Sequence, residues 1–229
     1  EPLARHMSFR IGGPAAIFAQ PATVDELSKL LRFLAARGIS PRILGAGTNV
    51  LAPDEGLREV VICTKDALTG LRDLGDGKIE AFAGETLSKT AVFARNLGLT
   101  GLEFAHGIPG SLGGAVSMNA GAYGGEMKDV VVSTRYLDHD LNLCEAEGAA
   151  HDFGYRHSVF YDTDCVVLGS TLALTPGDTA EIRARMLDLS ESRRSRRARA
   201  ARSSAPREAT PPRSSTRPAS RAMPSAARR

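Results

Sequence analysis

Seven glycines and a proline fall between residues 107 and 125, and this density constrains the fold more than any other feature of the chain. The run reads Gly107-Ile108-Pro109-Gly110-Ser111-Leu112-Gly113-Gly114-Ala115-Val116-Ser117-Met118-Asn119-Ala120-Gly121-Ala122-Tyr123-Gly124-Gly125. It carries no charge, yet a membrane helix is a poor solution, because each interior glycine costs about 1 kcal/mol and a proline about 3 kcal/mol. A plain flexible linker fits poorly too, since Ile108, Leu112, Val116 and Met118 recur at packing positions. A segment that keeps so many glycines without repetition needs positive φ angles or close approach of its backbone to something. Backbone N–H groups around Gly110, Gly113 and Gly114 can form a cradle for a pyrophosphate, with the Ser111 hydroxyl as an added donor.

A second glycine cluster, Gly45-Ala46-Gly47-Thr48-Asn49, follows a strand-like Arg42-Ile43-Leu44. A Rossmann fingerprint needs a third glycine at position 50 and a helix after it, whereas this chain has Val50 and then Leu51-Ala52-Pro53. A tight turn and a phosphate loop fit the pentapeptide equally well; a Rossmann site does not.

Around these loops the periodicity is mixed. Leu27, Leu30, Leu31 and Leu34 recur at helical spacing between Thr23 and Gly38, which supply the two caps. Residues 59–63 and 78–83 read as strands, the second after the turn Gly75-Asp76-Gly77, and residues 87–97 read as a helix stopped by Gly98. Residues 130–138, 141–145 and 165–174 carry strand-length runs of apolar and β-branched side chains. After Pro176-Gly177, Asp178 or Thr179 can cap a helix running through Ile182, Met186 and Leu189. The expected class is α+β, in two small subdomains at 8–65 and 66–176, with a helix at 177–191.

The charge is uneven. The chain carries +3 overall, but the 38 residues from Ser192 onward hold twelve Arg against one Glu and contribute +11, leaving −8 for the rest. These residues are otherwise almost wholly Ala, Ser and Pro, a composition that cannot offset its ordering entropy by burial. The expectation is a disordered tail at 192–229, with helix persisting toward Arg202. With no aromatic residue and no reading element, the tail binds polyanions only non-specifically, and no specific nucleic-acid partner is expected. Cys63, Cys144 and Cys165 lie far apart without metal spacing, so buried thiols in a reducing compartment and no metal site are expected. The chain opens on Glu1 with no charged segment leading an apolar run. That predicts a cytoplasmic protein lacking its extreme N-terminus and making no membrane contact.

The run from Gly107 to Glu126 resembles the flavin-binding signature of the UDP-N-acetylenolpyruvoylglucosamine reductase family. Phe9-Arg10-Ile11-Gly12-Gly13-Pro14-Ala15 resembles the family's opening motif, and Leu44 to Leu51 its first pyrophosphate loop. Phe153-Gly154-Tyr155-Arg156-His157-Ser158 resembles the motif that carries an active-site arginine. The resemblance runs from about Ser8 to about Asp188.

The resemblance implies a two-subdomain fold of the vanillyl-alcohol-oxidase type that clasps FAD non-covalently. Its reaction is NADPH-driven reduction of UDP-N-acetylglucosamine enolpyruvate to UDP-N-acetylmuramate, a peptidoglycan precursor, by a monomeric enzyme. It assigns FAD contacts to Gly45, Ala46, Gly47, Thr48 and Asn49 on one loop. On the other it assigns Ile108, Pro109, Gly110, Ser111, Gly113 and Gly114, followed by Asn119, Ala120 and Gly121. It assigns catalysis to Arg156, whose planar, permanently charged fork suits an enolpyruvyl carboxylate. Tyr155 and Ser158 fit either a site role or a packing and turn role. The resemblance also implies a third domain bearing a G-S-x-F-K-type serine and a late glutamate, and neither motif follows Ser192. Such an Arg/Ala/Ser/Pro composition is what GC-rich coding DNA yields when read out of frame, so a shifted frame is expected. Two classes remain open: a reductase or its flavin-binding remnant, and a non-enzymatic module with a basic tail.

Overall fold

A computed structural model describes residues 1–161 and 163–203. Two sheets organise it. The first is parallel and three-stranded, with β3 (Leu57–Cys63) between β1 (Ala15–Ala19) and β2 (Arg42–Leu44). Helix α1 (Val24–Ala35) makes the crossover from β1 to β2. Thr23 caps it by accepting from the Glu26 amide at 3.2 Å, Gly38 ends it at φ 65°, and Leu27, Leu31 and Leu34 form its buried stripe.

The second sheet is antiparallel and five-stranded. It uses β4 (Leu71–Gly75), β5 (Lys78–Phe82), β9 (Val131–Leu137), β10 (Leu143–Glu147) and β11 (Val166–Ala173), in the order β10-β9-β11-β5-β4. Between β5 and β9 the chain forms α2 (Leu87–Asn96), the short strand β6 (Leu99–Thr100), α3 (Leu112–Ser117) and a small hairpin of β7 (Gly121–Ala122) and β8 (Gly125–Glu126). Strand β12 (Thr175–Pro176) pairs with β6 and leads into α4 (Thr179–Ser203).

One apolar cluster joins the two sheets: Leu31 and Ile62 from the parallel side meet Ile79, Leu87, Leu112 and Leu172 from the other, and Met186 of α4 closes it. A smaller cluster of Leu3, Met7, Leu44 and Val61 pins the N-terminal segment beneath β2 and β3. Leu3 and Met7 thus belong to the packed unit although they precede residue 8.

The elements expected from periodicity are present, with ends shifted by one or two residues. Helix α4 departs most: it runs to Ser203, past the expected end at 191, after Asp178 accepts from the amides of Ala180 and Glu181 at 2.8 and 2.9 Å. Helix was expected to persist toward Arg202, and it ends one residue beyond that point. The rest of the expected tail, residues 204–229, lies outside the described residues.

Candidate functional site

The two glycine-rich loops face each other across a cleft of about 1320 Å³ between the sheets. Its volume exceeds the roughly 300–1,000 Å³ that suits an ordinary small ligand, leaving room for an extended dinucleotide.

One wall is the loop after β2, where Gly45, Ala46, Gly47, Thr48 and Asn49 all line the cleft. Its carbonyls are turned inward to the protein: Gly47 O accepts from the Ser8 amide at 2.9 Å and Gly45 O from the Cys63 thiol at 3.4 Å. Burial pushes the Cys63 thiol up from its ordinary pKa, which keeps it a neutral donor. The amides of these five residues donate to no acceptor among the described residues. Gly47 sits at φ 61°, and a Cβ there would lie 2.1 Å from the His6 carbonyl oxygen, so only glycine fits.

The facing wall is the segment from Ile108 and Pro109 through Gly110 and Ser111 into α3, with Gly113 and Gly114 beyond. The walls are stitched together where the Thr48 hydroxyl donates to Pro109 O at 3.0 Å. Here the expected cradle is only half available. The Leu112 and Gly113 amides are spent on Glu85 O and Ala83 O at 2.8 and 2.9 Å, leaving Gly110 and Ser111 without an acceptor among the described residues. Ser111 is 3% exposed and its hydroxyl makes no hydrogen bond among the described residues. It lies against Gly45, where an added Cβ would come within 2.5 Å of its oxygen. Donors without a protein acceptor on both walls of one cleft suit an acceptor-rich ligand such as a diphosphate.

Ala120 and Gly121 continue the cleft, and Arg156 stands at its end, shared with a neighbouring recess of about 330 Å³ that Tyr155, Tyr123 and Lys128 also line. Arg156 is exposed and sits at φ 55°, a conformation that costs an L-residue about 1–3 kcal/mol and concentrates at functional sites. Its guanidinium donates to the Gly121 carbonyl at the long distance of 3.5 Å and lies 5.9 Å from the centre of the Tyr155 ring, which leaves further N–H directions to face a ligand.

The comparisons with known proteins agree with this geometry. The FAD binding domain family matches residues 15–146. The chain is 41% identical over 193 residues to UDP-N-acetylenolpyruvoylglucosamine reductase of Clostridioides difficile, covering 84% of this chain and 63% of that protein. It is 44% identical over 196 residues to the same-named protein of Caldanaerobacter subterraneus, covering 85% of this chain and 64% of that one. The solved UDP-N-acetylenolpyruvylglucosamine reductase of Thermus caldophilus superposes with a TM-score of 0.66 at 30% identity, over 85% of this chain and 68% of its own. The chain belongs to the UDP-N-acetylenolpyruvoylglucosamine reductase family.

It spans less than two thirds of the length of the two curated relatives. Cholesterol oxidase of Brevibacterium sterolicum, with a TM-score of 0.54 at 14% identity, shows the same fold and nothing more. The cofactor of the family is FAD, and the residues present fit it: unclaimed amides on both walls, a buried unclaimed hydroxyl, and glycines placed where a Cβ would obstruct.

Asn119 departs from the expected placement. It lies in the smaller recess, and its amide is spent within the protein, donating to Glu126 Oε2 and Gly154 O at 2.9 Å each and accepting from the Lys128 amide at 3.0 Å. It ties the hairpin to the segment that carries Arg156. Ser158 acts likewise: fully buried, it donates to Ser117 O at 2.9 Å and anchors the same segment to α3. Tyr155, by contrast, is 89% exposed beside the recess.

Several cleft residues had no signal in the sequence, Phe160, Cys165 and Val167 among them. Val167, and Cys165 just before the strand, reach it because β11 packs against α3, a contact between segments about 50 residues apart, and Phe160 lies in the loop that leads to β11. Of the three thiols expected to be buried only Cys63 is, Cys144 and Cys165 being half-buried, and no disulfide links them. Among the described residues no cluster could hold a metal ion, and no helix is long and apolar enough to cross a membrane.

Proposed function

We propose that this chain forms the flavin-binding part of an NADPH-dependent reductase acting on UDP-N-acetylglucosamine enolpyruvate. The observation that carries the reading is the pair of unclaimed donor rows facing each other across the cleft, with an exposed, left-handed Arg156 at its end. FAD bound there would take hydride from NADPH and supply it to the enolpyruvyl double bond.

The chain's own residues bind and orient. The amides of residues 45–49 and of Gly110 and Ser111 would hold the diphosphate. Arg156 would pair with the enolpyruvyl carboxylate and stabilise the charge that develops as the double bond is reduced, a task for a fixed cation. Its backbone is held for that purpose by Asn119 and Ser158 on either side. The reductase works as a cytoplasmic monomer in this reading.

Reduction also needs a proton at the neighbouring carbon, and a positioned general acid contributes about 10²- to 10⁴-fold. No G-S-x-F-K-type serine occurs after Ser192, and proximity alone can supply roughly 7–11 kcal/mol of a barrier. These 229 residues by themselves should therefore hold FAD yet not reduce the enolpyruvyl substrate at a useful rate. A chimera carrying a family C-terminal domain after Asp188 should reduce it, and Arg156→Ala in that chimera should lower kcat at least about 100-fold. NADPH oxidation followed with and without substrate decides this. Substrate-dependent turnover by the unmodified chain, or a chimera indifferent to Arg156→Ala, contradicts the reading.

A further inference from the structure

Helix α4 brings one cation to the cleft that no motif announced. Ile182, Met186 and Leu189 face the body, the first two buried and the third half-buried, and Arg193 follows at the next position of that stripe. Arg193 is half-buried and lines the same cleft as the two glycine loops. Its Cδ stands 3.5 Å from where a Cβ on Gly107 would be, so the stem of the side chain lies along the start of the segment that Thr48 pins through Pro109.

The other charges of this lining are differently placed. Arg42 is paired with Glu59 at 3.3 Å, Asp164 is exposed, and Arg156 leans on Gly121 O. Arg193 has neither a hydrogen bond nor an ion pair among the described residues. With its stem packed along Gly107 and its guanidinium without an anion among the described residues, Arg193 is available to a ligand of the cleft. The same cleft is lined by amide donors equally without acceptors among the described residues.

We propose that Arg193 binds the diphosphate of the FAD held in this cleft. Its planar fork can pair with phosphate oxygens in bidentate fashion while the amides of Gly45 to Asn49 and of Gly110 and Ser111 hold the remaining oxygens. The terminal helix is then part of the cofactor site, and the arginine-rich segment that breaks the family pattern contributes to it. This rests on the flavin reading above.

The test titrates the apoprotein with FAD and, separately, with riboflavin, which carries the same ring system and no phosphate, following the quenching of flavin fluorescence. Losing one charge-assisted contact should weaken FAD binding by about ten-fold in Arg193→Gln, while Arg193→Lys, which keeps the charge and gives up the fork, should fall between that variant and the parent. Riboflavin binding should be the same in all three proteins, and added salt should weaken FAD less in Arg193→Gln than in the parent. Arg183→Gln, an exposed arginine of the same helix, should change neither titration. Equal FAD affinity in Arg193→Gln and the parent overturns the proposal, as does an equal loss for FAD and riboflavin, which would mark a packing role. A loss confined to UDP-N-acetylglucosamine titrated into the FAD-loaded protein would assign Arg193 to the sugar nucleotide and overturn the cofactor assignment. Failure of the parent itself to bind FAD would defeat the flavin reading, a different result from a parent that binds FAD as well as its variant does.

Discussion

The two glycine loops that face each other across the cleft use the same residue for different ends. In the loop after β2 the carbonyls are taken up by the N-terminal segment and by Cys63, and all five amides from Gly45 to Asn49 are left for a ligand. In the segment entering α3 the Leu112 and Gly113 amides are consumed by Glu85 and Ala83, and Gly113 is small because a Cβ there would lie 2.9 Å from that of Ala83. The first loop is shaped by conformation, the second largely by packing. Glycine density alone therefore does not measure how many donors a phosphate loop can offer.

Substitution should separate the two. Gly47→Ala imposes a side chain at φ 61° and drives it to 2.1 Å from a backbone oxygen that cannot rotate away. The combined strain and overpacking should cost about 3 kcal/mol, a fall of roughly 10 °C in the Tm of the apoprotein, with FAD affinity lost in the protein that still folds. Gly113→Ala should cost about 1 kcal/mol or less, because gained helix propensity offsets part of the clash with Ala83, and FAD affinity should stay close to that of the parent. Thermal melts and flavin titrations on both variants read the difference. Equal loss of flavin affinity in the two would break the distinction between the walls.

The smallest effect expected concerns the hairpin that supports Arg156. The Lys128 ammonium at 2.8 Å and the Asn119 amide hold the Glu126 carboxylate below its ordinary pKa. A depressed carboxylate contributes stability that is complete above the ordinary carboxylate range and is lost as the pH falls through its lowered value. The pair is open to solvent, which screens it, so the contribution is small. Glu126→Gln should accordingly lower Tm slightly at neutral pH and not at all in strong acid. A difference that persists unchanged into strong acid would show that charge is not its source.

Much of this architecture was legible in the sequence where a local signal and the tertiary environment agree. Thr23 and Gly38 bracket α1 as caps should, Gly98 stops α2, and residues 42–44 form β2 as read. The short strands β6, β7, β8 and β12 were not legible, nor were three longer elements. Strand β1 is five residues at a sheet edge with Ile17 exposed, so no alternation marks it. Strand β4 is polar and largely exposed on the opposite sheet's edge and is held by pairing to β5. Helix α3 carries two glycines in six residues, against its propensity, and exists because Gly113 lets it settle on Ala83. The candidate site followed the same rule. The loop positions could be read from their motifs, whereas the inward turn of Asn119, the position of Cys165 and the reach of Arg193 depend on segments distant in sequence that the fold brings together.

The central claim is that the donors left unclaimed on both walls are there for FAD. The direct measurement is equilibrium uptake of FAD by the purified chain, read from its visible absorption spectrum and repeated on the supernatant after denaturation. The account predicts one flavin per chain, with the spectrum of a protein-bound flavin, released intact on unfolding because no covalent link holds it. A folded, colourless protein that takes up no added FAD would contradict it.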